Sequence, residues 1–139
     1  GLALGAPYIK AICLGRATMT AAMVANTIGE IVKSGKSLPI DVSKYGETVD
    51  QIFVGSIELK EKLGVDEFHK LPPGAIGMYT YYDRLGTGLK QFMAGTRKFG
   101  LEYIKRDDIF ALTREAADIS GIDYVMDADK EEMDKILGA

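Results

Sequence analysis

The first twenty residues constrain the fold more than any other segment, because turn-forming residues there alternate with short apolar runs. The opening, residues 1–7, is rich in glycine, alanine and proline. A short apolar helix is predicted at 6–14 and a strand at 16–20, where β-branched threonines alternate with small or apolar neighbours. A second helix is predicted at 21–33. Helix, short buried strand and helix in this order are typical of the end of a repeating β/α pattern.

The length of the chain decides how this pattern is interpreted. A complete (β/α)8 barrel needs roughly 250 residues, and this chain has 139. We therefore expect an α/β fragment: the last βα unit of a (β/α)8 TIM barrel, followed by a mostly helical C-terminal extension. Residues 1–34 are the predicted C-terminal edge of the barrel, and residues 35–139 the predicted helical C-terminal region.

The glycine-rich opening is also a candidate phosphate-binding segment. Loops after the last two strands of such barrels commonly bind phosphate, and backbone N–H groups at a helix N-terminus attract it. A tight turn is the alternative interpretation. A second glycine motif, Gly86-Thr87-Gly88, lacks the third glycine of a dinucleotide fingerprint. We interpret it as a kink or a close helix crossing.

Local signals predict most helix boundaries after residue 47. Thr48-Val49-Asp50-Gln51 matches a capping box, and the helix that it begins is expected to run to residue 63 and end at Gly64. Glu58 and Lys62 form a favourable i,i+4 pair on that helix. Pro72-Pro73 breaks the chain, and residues 74–94 are predicted to be helical.

Two aspartate pairs precede the last predicted helices. Asp107 or Asp108 is expected to cap a helix through residue 119, and Asp127 or Asp129 a helix to about residue 137. Such pairs also suggest the paired carboxylates of a catalytic site. Because each pair stands directly before a predicted helix, capping accounts for them, and no catalytic residue is predicted.

The remaining reactive side chains have simpler interpretations. His69, the single histidine, has no partner set for a metal site, so no metal is expected. Cys13, the single cysteine, is expected to be a small buried side chain on an apolar helix. One lone thiol fits a reducing cytoplasm. Three tyrosines form an aromatic cluster suited to packing or to stacking on a ring; they are Tyr79, Tyr81 and Tyr82.

Charge and hydropathy limit the classes of partner. The formal net charge is −3, and a nucleic-acid-binding domain is expected to carry a basic face. No apolar stretch approaches the roughly 20 residues that span a bilayer. We therefore expect a cytoplasmic protein with neither a nucleic acid nor a membrane as its partner.

Several long strings carry a resemblance that covers nearly the whole chain. They are residues 1–17, 43–48, 51–54, 71–77, 89–99 and 106–113. These strings resemble the late barrel segment and the following C-terminal region of FMN-binding glutamate synthase family proteins. The resemblance implies an FMN-dependent oxidoreductase that forms glutamate reductively from 2-oxoglutarate and ammonia or glutamine nitrogen.

The resemblance also implies which residues approach the cofactor. Gly1 would be the tail of the glycine pair after strand seven, near the FMN phosphate. Arg16, Thr20 and Ala21 would belong to strand eight and its following turn, and are the other expected cofactor-binding residues. The chain departs from the family pattern at Met19-Thr20-Ala21, where classical members have Gly-Thr-Ala, and it lacks their cysteine triplet for an iron–sulfur cluster.

These expectations separate the parent protein from this chain. Substrate-binding and flavin-ring residues would lie on earlier strands, so the chain alone is expected to be inactive and to bind FMN weakly or not at all. Its expected partners are the remainder of the barrel or another subunit, with a small-molecule substrate in the parent. An unpaired strand edge would favour homo-oligomers through residues 1–34. A non-catalytic helical interaction module and a small phospholigand-binding domain are the alternatives.

Overall fold

A computed structural model describes residues 1–138. The described chain forms helices α1 Arg16–Ser34, α2 Ile40–Ser43, α3 Val49–Ile52, α4 Gly55–Leu63, α5 Val65–Phe68, α6 Pro73–Gly95, α7 Arg114–Ser120 and α8 Lys130–Leu137, with 3-10 helices at Leu101–Tyr103 and Arg106–Asp108. The described chain divides into two compact units. One is Leu14–Lys90, and the other combines Gly1–Cys13 with the described residues from Gln91 onward.

The predicted βα unit is wrong, because the described residues contain no strand. Residues 16–20 form the start of α1, which continues to Ser34. The helix expected at residues 6–14 is also wrong, since residues 6–8 lie in turns and residues 9–14 in irregular chain. A barrel strand needs neighbouring strands to accept and donate its backbone hydrogen bonds, whereas a helix pairs its own backbone groups. The arginine, methionine and alanine residues of this segment are good helix formers. The described chain is therefore all-helical, except for one isolated parallel bridge between Ala111 and Tyr124.

Helices α1 and α6 cross closely in the unit Leu14–Lys90. A Cβ atom added at Gly77 would lie 2.3 Å from the Cβ of Ala25, and one added at Gly29 would lie 2.4 Å from the Cγ of Pro73. Both glycines are buried. Small residues at this crossing let the two helices approach more closely than larger side chains would allow.

A small apolar cluster lies beside this crossing. Leu59 of α4, Phe68 of α5 and Ile76 of α6 form its buried part, and partly buried side chains that include Phe53 and Tyr79 pack against it. The neighbouring hydroxyl of Ser56 is buried, and no hydrogen-bond partner for it is found among the described residues. This cluster holds α4, α5 and α6 together by burying apolar surface.

The predicted capping box is confirmed. The Thr48 hydroxyl accepts a hydrogen bond from the Gln51 N–H at 3.4 Å, and the Gln51 side-chain oxygen accepts one from the Thr48 N–H at 3.3 Å. The single long helix expected from it is wrong, since α3 ends at Ile52 and α4 is a separate helix. Gly64 follows α4 with a φ of 83°, as the predicted stop requires.

The predicted aspartate caps are wrong. Asp107 and Asp108 lie in a 3-10 helix, and α7 begins later, where the Thr113 hydroxyl accepts the Ala116 N–H at 3.1 Å. Asp129 precedes α8 but makes no side-chain cap hydrogen bond. Asp127 instead forms an ion pair with Arg114 at 3.0 Å. Ion pairing with nearby basic residues thus competes with capping for these carboxylates.

Two further expectations are settled by exposure and by helix length. Cys13 is exposed and lies outside the helices, so its predicted burial on an apolar helix is wrong. Among residues 1–138, no helix combines the length and the apolarity needed to cross a membrane.

Candidate functional site

The four residues expected to approach a cofactor lie in two units. Gly1 belongs to the unit with Gly1–Cys13, and Arg16, Thr20 and Ala21 belong to α1 in the other. Arg16 and Thr20 are exposed and one helical turn apart, so both project from one face of α1. Neither side chain makes a hydrogen bond or ion pair with another described residue.

Ala21 and Gly1 have packing roles in this structure. The carbonyl oxygen of Ala21 lies 3.0 Å from the position of a Cβ atom at Gly77, which places Ala21 at the α1–α6 crossing. A Cβ atom at Gly1 would lie 2.8 Å from the Cδ1 of Ile12. The absence of a side chain at Gly1 therefore makes room for an isoleucine of the same unit.

The start of α1 contacts the aromatic cluster predicted on α6. The hydroxyl groups of Thr18 and Tyr82 share a hydrogen bond of 2.9 Å. The Tyr82 ring also lies edge-on to Tyr81, with centroids 5.8 Å apart. Tyr82 therefore links the first turns of α1 to the middle of α6, and packing accounts for this part of the cluster.

Tyr79 belongs to a polar groove that the sequence did not reveal. The groove has a volume of about 360 Å³ and is lined by α4 and α6 side chains; they are Glu58, Lys62, Tyr79, Tyr82, Asp83, Thr87 and Lys90, with Gly86 between them. The Lys62 ammonium lies 2.6 Å from a Glu58 carboxylate oxygen, which confirms the predicted pair. It also donates a hydrogen bond to the Tyr79 hydroxyl at 3.0 Å.

These contacts shift the pKa values of Lys62 and Glu58. Hydrogen bonds with Glu58 and then Tyr79 raise the pKa of Lys62 above its ordinary value. Hydrogen bonds from Lys62 and then Tyr79 lower the pKa of Glu58. Both groups are therefore charged at neutral pH. An ammonium with a raised pKa is a poor nucleophile and base.

A second charged network lies at the 3-10 helix Arg106–Asp108. The Lys98 ammonium pairs with Asp108 at 2.5 Å, and the Lys105 N–H donates to the other carboxylate oxygen at 2.8 Å. The hydrogen bond from Lys98, then that from the Lys105 backbone, lowers the pKa of Asp108. Sequence reasoning missed this network because Lys98 stands ten residues before its partner.

No group of three or more histidine, cysteine, aspartate or glutamate side chains among residues 1–138 is arranged to hold a metal ion. His69 is exposed and lies edge-on to Phe68, with ring centroids 5.6 Å apart. No protein-family model, curated protein or solved structure matches the chain.

Proposed function

We propose that the chain is the C-terminal part of a cytoplasmic, FMN-dependent, glutamate-synthase-like oxidoreductase. The reaction is the reductive formation of glutamate from 2-oxoglutarate and ammonia or glutamine nitrogen. The proposal rests on the resemblance of six strings between residues 1 and 113. All of the strings except the first lie in residues 43–113, so they do not depend on the strand that the structure overturns.

The exposed side chains of α1 support a role as a part that docks onto a larger protein. Met19 and Met23 are 59% and 63% exposed. With Arg16 they follow an i, i+3, i+7 spacing, which places all three on one face of the helix. Contiguous exposed apolar surface rimmed by polar residues marks interaction sites. We assign this face to contact with the flavin-binding remainder of the protein.

Within this proposal, the exposed Arg16 and Thr20 are the FMN-phosphate contacts of the chain. Arginine binds phosphate oxygens through two parallel N–H donors, and a threonine hydroxyl adds a further donor. Ala21, at the helix crossing, contributes by positioning α1. The flavin ring and the substrate are held by other parts of the protein.

The test is the flavin content of the protein produced from its complete natural reading frame. We expect the purified protein to carry FMN, measured as the ratio of flavin to protein absorbance. Arg16→Ala is expected to lower that ratio, while Lys33→Ala, a matched removal of a cation in the last turn of α1, leaves it unchanged. A wild-type protein that purifies without flavin would contradict the proposal.

A second candidate function is a non-catalytic helical interaction module, and the exposed methionines of α1 favour it. The two candidates differ in what the isolated chain does. If the isolated chain is a module that self-associates through α1, its apparent molecular mass rises with protein concentration. Met23→Lys should abolish this rise without changing the flavin content. Light scattering across a concentration series measures this mass. A monomeric mass at every concentration would instead fit a chain that needs the remainder of a flavoprotein.

A further inference from the structure

A cavity of about 370 Å³ lies in the unit formed by Gly1–Cys13 and the residues from Gln91 onward. Its apolar walls are aliphatic and include Leu2, Ile9, Leu101 and Ile104. Ile9 and Leu101 remain 44% and 49% exposed. The volume falls in the range of small-molecule sites, which are lined mainly by apolar side chains with a few polar groups.

The charged side chains of the cavity are predominantly basic. Lys10, Lys105 and Arg106 line it together with one acid, Glu102, in a chain whose formal net charge is −3. The Glu102 carboxylate is turned towards Gly100, where its oxygen lies 2.6 Å from the position of a Cβ atom. Positive charge is therefore concentrated at this cavity although the chain as a whole is acidic.

Arg106 braces the cavity wall. Its guanidinium donates hydrogen bonds to the backbone carbonyls of Ser120 and, at 3.5 Å, Leu4. These bonds connect the opening turns to the last residue of α7. Lys10 and Lys105 are exposed, and their ammonium groups make no ion pair with another described residue. They are the cations that remain for a bound anion.

We propose that this cavity binds an aliphatic carboxylate, with its hydrocarbon chain against the aliphatic walls and its carboxylate between Lys10 and Lys105. The described lining residues include no aromatic ring on which a flat ligand would stack. Apolar burial supplies the affinity for the chain, and the two ammonium groups select an anionic head over a neutral one. This site is independent of the proposed flavin chemistry.

The probe is decanoate, titrated into the protein and followed by calorimetry, with decanol as the neutral counterpart. We expect saturable decanoate binding and at least several-fold weaker binding of decanol. Lys10→Gln and Lys105→Gln should each weaken decanoate by about threefold, the size expected for one partly exposed charge contact. Lys130→Gln removes an exposed lysine that does not line the cavity and should leave the affinity unchanged.

Two results would overturn the site. One is equal affinity for decanoate and decanol, which would mean that the basic residues do not select the head group. The other is a decanoate affinity that the Lys10 and Lys105 variants leave unchanged. Far-UV circular dichroism of each variant checks that the helices are retained, and Ile104→Asp, which places a like charge in the wall, should abolish binding as a second and independent change.

Discussion

The side-chain oxygen of Asn26 accepts a hydrogen bond from the backbone N–H of Gly74 at 2.7 Å. Gly74 lies in the first turn of α6, where backbone N–H groups have no partner within the helix. Asn26 lies near the middle of α1. A side chain from one helix therefore caps the start of another, 48 residues further along the chain, and sets the position of the α1–α6 crossing.

Removing this cap should destabilise the protein. We expect Asn26→Ala to lower the free energy of unfolding by about 1 kcal/mol, the usual cost of losing a side-chain cap. Thr27→Ala is the control, because the neighbouring Thr27 hydroxyl only bonds the Met23 carbonyl of its own helix. Urea unfolding measures both. An Asn26→Ala variant no less stable than Thr27→Ala would contradict the capping role.

Alanine at two glycines of α6 should change stability in opposite directions. At Gly77, an added Cβ atom meets Ala25 at 2.3 Å, and overpacking of this kind costs about 1–3 kcal/mol. At Gly86, no heavy atom counted as a neighbour lies within 4 Å of that position, so Gly86→Ala should gain up to about 1 kcal/mol of helix propensity. Thermal unfolding gives the sign of the stability change in each variant. A stabilising Gly77→Ala would contradict the close crossing at Gly77.

The position of the close crossing shows which features the sequence alone could predict. The capping box at Thr48 and the Glu58–Lys62 pair were predicted correctly, because they depend on residues within one helical turn. A kink or a close helix crossing is predicted at residues 86–88, and the close crossing lies at Gly77 instead. Which glycine faces another helix depends on the position of α1, about fifty residues away in sequence, and spacing carries no signal of it.

The strand predicted at residues 16–20 failed for a related reason. Alternating threonines favour a strand only where neighbouring strands are present, and the described chain supplies none. The groove contact between Lys62 and Tyr79 was missed because these residues are 17 positions apart. Local signals thus predicted several helix ends, whereas tertiary packing determined the fold class and the arrangement of polar side chains.

Removing the buried hydroxyl of Ser56 should stabilise the protein. The side chain is 1% exposed, and burying a hydroxyl without a hydrogen bond costs about 1–3 kcal/mol. We expect Ser56→Ala to raise the free energy of unfolding by roughly 1 kcal/mol. Ser34→Ala, at an exposed hydroxyl that bonds the Ile31 carbonyl, should not. A destabilised Ser56→Ala would reveal a hydrogen-bond partner for this hydroxyl.

The ion pair between Asp108 and Lys98 should make stability depend on pH. The folded-state pKa of Asp108 is lowered, by Lys98 first. Its stabilising contribution is therefore complete above the unfolded-state pKa of about 3.9 and is lost as the pH falls through the lower folded-state value. Asp108→Asn should therefore lower the free energy of unfolding at pH 7. In strong acid, where Asp108 of the wild type is protonated, the variant and the wild type should be equally stable.

Asp107→Asn is the matched control for this pH dependence, because it removes the same charge from an exposed neighbour. Urea unfolding of both variants and the wild type is compared between pH 7 and pH 2. A deficit of Asp108→Asn that stays constant over this range, or an equal deficit in Asp107→Asn, would show that the ion pair is not its source.

The central structural claim is that Arg16–Ser34 forms one continuous helix, where the sequence predicts a strand at residues 16–20. The most direct measurement is the set of Cα chemical shifts of residues 16–20 by nuclear magnetic resonance. We predict downfield helical shifts, continuous with those of residues 21–34. Upfield, strand-like shifts at residues 16–20 would contradict the helix and the docking face assigned to it.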